Sequence, residues 1–128
     1  MAEDLADIQA WAAARGWSGV WTDAAKMDSG KASAGVAILT RSHITTAKPE
    51  HLASHVVEPH RVVACHIRGM APQGVAGICG YFKHGIGFAG VNEYLARRIA
   101  QVIAGIDGHW LIGCDWNITP DKLIATGW

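Results

Sequence analysis

"HWLIGCDWNITP", residues 109–120, is the stretch on which the reading of the whole chain turns. The apolar run from Trp110 to Cys114 is that of a buried strand, and it stops at Asp115. Asn117 follows two positions later, and then Thr119 and Pro120, which suit the start of a helix. In a strand, side chains at i and i+2 share a face. With extended geometry continuing through Trp116, Asp115 and Asn117 project side by side from the end of a sheet, and Trp116 points into packing. A carboxylate beside an amide can accept a proton from water and orient that water or a phosphate oxygen. The same two residue types are also favoured in turns, where they bond nearby backbone N–H groups, and Thr119 suits an N-cap. The residues by themselves leave both readings open.

Upstream, "VNEYLARRIAQVIA" (91–104) sets Val91, Leu95, Ile99 and Val102 on one stripe, with Arg97, Arg98 and Gln101 opposite. The spacing predicts an amphipathic helix closed by Gly105. "RVVACHI" (61–67) and "VAGICGYF" (75–82) are two buried strands, and the intervening "RGMAPQG" suits a hairpin connection. "KHGIGFAG" (83–90) reads as a flexible loop. In residues 41–60, Pro49 and Pro59 forbid a long helix and favour edge strands or loop. "GVAILT" (35–40) and the stretch around Val20 are strands, while "KMDSGKASAG" (26–35) is a loop. Asp4 to Arg15 form a helix with Leu5, Ile8, Trp11 and Ala12 as its apolar stripe and Gly16 as its stop. A last helix runs from Pro120 towards Trp128. Helices thus alternate with single-faced and fully apolar strands. This predicts an α/β (α+β) fold, a mixed β-sheet with flanking helices.

Composition narrows the function classes. A chain of 128 residues fits a single domain, 1–128, and half of its residues are hydrophobic, enough for a packed core. Eleven basic residues balance eleven acidic ones, so no overall basic field attracts phosphates, although a local patch remains open. Cys65, Cys79 and Cys114 are far apart, lack a CxxC pair and sit in apolar runs, which predicts reduced, buried thiols and an intracellular setting, cytoplasm or nucleus. A zinc module built from Cys65, His66, Cys79 and Cys114 would need separate strands to converge. The acidic start, "MAEDLADIQAWAAARG", lacks the features of a secretory signal peptide, and no run approaches the ~20 apolar residues of a membrane span. No membrane partner is expected. Oligomeric state has no signature. The six tryptophans are expected mostly in the core, with any exposed subset able to stack bases.

The order "SAGVAIL", "RVVACHI", "VAGICGYF", a helix and "WLIGCDWNITPDKL" resembles the endonuclease/exonuclease/phosphatase superfamily, which includes apurinic endonucleases, deoxyribonuclease I-like enzymes and retroelement endonuclease domains. "CDWN" corresponds to the family's Gly-Asp-aromatic-or-Leu-Asn strand end. The resemblance covers roughly Trp17 to Trp128, and only the middle of the family domain. It implies a two-sheet α/β sandwich of which this chain is part. It also implies Mg²⁺-dependent phosphodiester hydrolysis on nucleic acid or another phosphodiester substrate. Asp115 would be the general base, Asn117 would orient water or phosphate, and Tyr81 would approach the scissile phosphate. His84 falls in the loop where some relatives place a phosphate-contacting Asn; otherwise it is a solvated loop residue. His66 reads as a hydrogen-bonded strand residue.

The departures from the family pattern carry weight too. The family's metal-binding Glu sits in an early Gln-Glu strand, whereas Glu3 belongs to the helical "EDLADIQAW". The family's closing Ser-Asp-His strand has no counterpart, Cys114 replaces a Gly, and "YFKHG" lacks the usual Pro two residues after Tyr81. The principal Mg²⁺ ligand is therefore absent, and losing the His is worth on the order of 10²-fold or more in rate. The expectation is a family fragment, truncated at both ends and weak or inactive by itself. The alternative is a non-catalytic remnant or a partner- or nucleic-acid-binding module.

Overall fold

A computed structural model describes residues 2–128, with side chains from Asp4 onward, so that the side chain of Glu3 lies outside the described residues. In chain order the elements are α1 (Ala2–Ala13), β1 (Trp17–Trp21), β2 (Ala25–Lys26), β3 (Ala32–Ser33), β4 (Ala37–Arg41), β5 (Thr46–Ala47) and β6 (Val56–Glu58). They continue with β7 (Val62–Ile67), β8 (Val75–Tyr81), α2 (Val91–Ala104), β9 (His109–Asp115) and α3 (Pro120–Ile124). Among the described residues no helix is long and apolar enough to cross a membrane.

The predicted hairpin is the centre of the fold. β7 and β8 pair antiparallel from Val62↔Gly80 to Ile67↔Val75. β9 then joins β8 in parallel, from Val75↔His109 to Tyr81↔Asp115, after the chain has crossed over through α2. On its other side β7 receives β5 and β6, so the main sheet has five strands and is mixed, as the sequence predicts. β1 and β4 form a separate antiparallel pair, Trp17↔Arg41 to Trp21↔Ala37.

Alternation along β7 explains how one sheet serves two cores. Val62 and Ala64 face α2, where they meet Ile78, Phe82, Leu95, Ile99 and Val102. Val63, Cys65 and Ile67 face the opposite way, against Val20, Ile38, Val36 and Ile44 of the β1–β4 region. The α2 stripe is buried as its spacing predicts: Leu95, Ile99 and Val102 are at most 1% exposed, while Val91 at the helix start stays at 37%. Each such buried aliphatic side chain contributes about 1.5–3 kcal/mol. The architecture is thus a layered one: small sheet, main sheet, helix.

Four expectations need correction. Residues 26–35 are not plain loop, because β2 and β3 pair at Ala25↔Ser33 and Lys26↔Ala32 around a tight turn. The apolar stripe of α1 is poorly covered, with Ile8 51% and Trp11 58% exposed, since the helix leaves an apolar cleft of about 350 Å³ beside Trp21 and Val36. The tryptophans are less buried than expected: none of the six is fully buried, Trp11, Trp110 and Trp128 are exposed, and Trp116 packs against the α2 core from its margin. Lastly, α3 ends at Ile124 in a turn, and Trp128 folds back on Trp116 with ring centroids 5.4 Å apart.

Candidate functional site at the β8–β9 rim

The parallel register sets Tyr81 directly beside Asp115 at the ends of their strands. Odd-numbered residues of β8 and β9 face the small sheet, so both side chains emerge on the same side of the main sheet. Asp115 is exposed and Tyr81 half-buried. The backbone N–H of Phe82 donates to the carbonyl of Asp115 at 2.8 Å, which carries the ladder one step past Tyr81.

Beyond Asp115 the expected extended geometry fails. Asn117 has φ 50°, in the left-handed region that asparagine tolerates better than most residues. Its N–H donates to Asp115 Oδ1 at 3.1 Å, the local bond that Asp makes in turns. Asp115 and Asn117 therefore do not project as an i, i+2 strand pair. The Asn117 side chain instead reaches sideways: Nδ2 donates to the Phe82 carbonyl at 2.6 Å, and Oδ1 lies 3.3 Å from His84 Nδ1. The amide does what the next backbone unit of β9 would do, and it holds the segment after β8 against the turn after β9. Trp116 packs as predicted, edge-on to Phe82 at 4.9 Å. Thr119 occupies the N-cap of α3 but makes no side-chain capping bond. Asp115, Asn117, Tyr81 and His84 are brought to one rim.

Two residues of this rim escape sequence reasoning. Arg61, just before β7, donates from Nη1 to the Tyr81 carbonyl at 3.2 Å, and its guanidinium lies 5.8 Å from the centre of the Tyr81 ring. Asn92 is completely buried in the first turn of α2. Its Oδ1 accepts from the Lys83 N–H at 2.7 Å, and its Nδ2 donates to the carbonyls of Lys83 and Gly87 at 2.9 and 2.7 Å. The loop carrying His84 is thus clamped, not free. An asparagine inside a helix start is the available signal, since it competes with the backbone for hydrogen bonds.

The donors at the rim do not by themselves fit a Mg²⁺ ion, which takes oxygen ligands from one or two carboxylates plus phosphate and water. Asp115 is the rim's one carboxylate among these residues, and one of its oxygens already accepts from Asn117. Among the described residues no group of three or more His, Cys, Asp and Glu is arranged to hold a metal ion. His66 is a hydrogen-bonded strand residue, its Nε2 2.9 Å from the Gln73 carbonyl. Cys65 and Cys79 face the small sheet and Cys114 faces α2, so the three free thiols do not share a face.

A solved structure with a similar fold is the endonuclease domain of TRAS1, a telomere-specific non-LTR retrotransposon, with a TM-score of 0.53 and 14% sequence identity. The two chains share an α/β fold. The likeness covers 80% of this chain and 42% of that one, so the chain spans less than half the length of its structural neighbour. No protein-family model matches the sequence, and no curated protein does either. The resemblance carried by "VAGICGYF" and "CDWN" thus holds at the level of the fold.

Proposed function

We propose that this chain is part of a Mg²⁺-dependent phosphodiester hydrolase of nuclease type, weakly active by itself, with nucleic acid as its substrate. The observation that carries this reading is the pairing of Tyr81 with Asp115 at one strand end, on a fold similar to that of a retrotransposon endonuclease. Asp115 would take the proton of the attacking water, since it is exposed and held at a rigid sheet end. Asn117 and His84, hydrogen-bonded to each other, would bind phosphate oxygens, and the Tyr81 hydroxyl would approach the same group. Magnesium would neutralise charge on the phosphoryl oxygens when bound. Its remaining ligands would not come from this rim.

A second reading has its own support. The bond from the Asn117 N–H to Asp115, and the bridge from Asn117 to Phe82, are what a purely structural strand-to-helix joint would show. Plasmid nicking separates the two. The first reading expects slow Mg²⁺-dependent relaxation of supercoiled DNA that falls by about 10²-fold or more in Asp115→Ala, the scale of losing one transition-state group. Relaxation unchanged in that variant, or no relaxation above a chelated control, leaves the non-catalytic module standing.

A further inference from the structure

At the far end of β1 from this rim, two arginines lie on two tryptophans. The Arg15 guanidinium is 4.2 Å from the centre of the Trp11 ring, and that of Arg41 is 4.1 Å from the centre of Trp17. The two arginines are neighbours, because Arg41 Nη1 donates to the Arg15 carbonyl at 3.3 Å. Arg15 Nη1 likewise donates to the Trp11 carbonyl. Each guanidinium therefore spends one of its N–H groups on a backbone oxygen and neither pairs with a carboxylate among the described residues. Arg15, Arg41 and Trp11 are exposed, the last at 58%.

We propose that this patch binds a single-stranded segment of nucleic acid, its phosphates on Arg15 and Arg41 and a base on the open face of Trp11. Neither cation is paired with a carboxylate among the described residues, so the patch favours an anion. A guanidinium held over an indole and donating one Nη1 hydrogen to the backbone keeps other N–H groups for a phosphate oxygen. Exposed aromatic faces beside such forks match bases that are free to stack, as in a single strand and not within a duplex. The acids of α1, Asp4 and Asp7, lie in its first half, away from Arg15. β1 leads from this patch to Asp23, which meets His60 at 3.0 Å beside Arg61 of the rim. The patch thus lies at the other end of β1 from the residues that lead to the rim, and it is a separate contact. The nature of the partner rests on the nucleic-acid reading above; the existence of an anion-and-base site does not.

The test is fluorescence polarisation of the full chain with a labelled oligothymidylate, against Trp11→Ala, Arg15→Gln and Arg41→Gln, each checked for unchanged circular dichroism and urea midpoint. Each variant is expected to weaken binding at least about five-fold, the low end of losing one base stack or phosphate contact. The double arginine variant should also flatten the dependence of log affinity on log salt by about 1.4, or 0.7 per lost phosphate contact on a single strand. If the parent nicks no plasmid yet the patch variants lose binding, the hydrolase reading falls and the patch stands. Binding unchanged in all three variants overturns the proposal, as does equal affinity for an acidic peptide of matching charge.

Discussion

Asn117 carries two tasks whose costs can be measured separately. Its backbone sits at φ 50°, and its side chain ties the Phe82 carbonyl to the turn after β9. Asn117→Ala loses the bridge and keeps the unfavourable φ, so the chain should lose about 1–2 kcal/mol in urea unfolding. Asn117→Gly loses the same bridge but is at ease at that φ, and should recover about 0.5–1 kcal/mol of the loss. If the two variants are equally unstable, the backbone carries no strain. Asn92→Ala should cost more, about 2–3 kcal/mol, because it strands the Lys83 N–H and two carbonyls around a fully buried site. The same variant should speed proteolytic cleavage within residues 83–90, which a limited digest would show.

At the scale of elements, sequence patterns succeeded where an element is long. The α2 stripe and the β7–β8 hairpin are long enough for period 3.6 or 2 to show and are buried as their patterns predict, whereas β9 lies where its apolar run predicts but is an edge strand, not the buried one expected. β2 and β3 are two residues long and carry no period at all. The bend at Asn117 was illegible for another reason: Asp115 and Asn117 fit both an extended rim and a turn, and the choice is made by the Phe82 carbonyl, which only the folded sheet brings near. Trp11 and Ile8 fit a helix stripe correctly, yet no pattern within α1 reveals how little covers them. The packing of α2 on β8 gives a further test. A Cβ at Gly80 would sit 3.0 Å from Cys114 Sγ and 3.5 Å from Ile99 Cδ1. Gly80→Ala is therefore expected to destabilise by about 1–3 kcal/mol through overpacking. Adding Cys114→Ala should make the double variant more stable than the sum of the two losses, a non-additivity that a double-mutant cycle in urea would read.

For the molecule as a whole, pH and the open sheet edge govern its behaviour. Burial pushes the Cys65 thiol up to about 11 and Cys114, helped by the charges of Cys79 and Asp115, up to about 12; Cys79 is raised by burial as well. The unfolded chain releases these protons near 9.0 while the folded chain keeps them, so stability is whole below that pH and falls as pH rises towards 11–12. Urea midpoints should drop between pH 9 and 11, and Cys65→Ala should shallow that drop. β9 is the last strand of the main sheet, and within it Trp110 and Leu111 are 49% and 59% exposed. Such an edge favours association, so Leu111→Lys should raise the concentration at which light scattering detects it.

The parallel seam between β8 and β9 also fixes a timetable. The β7–β8 hairpin closes across residues 68–74, a short loop that a chain can form early. β9 can take its place only after residues 82–108 have coiled into α2 and been laid across the sheet, a closure of far greater span. During that interval Tyr81 stands without Asp115, and the outer flank of β8 is bare. The juxtaposition of Tyr81 and Asp115 thus hangs on the widest strand closure in the main sheet.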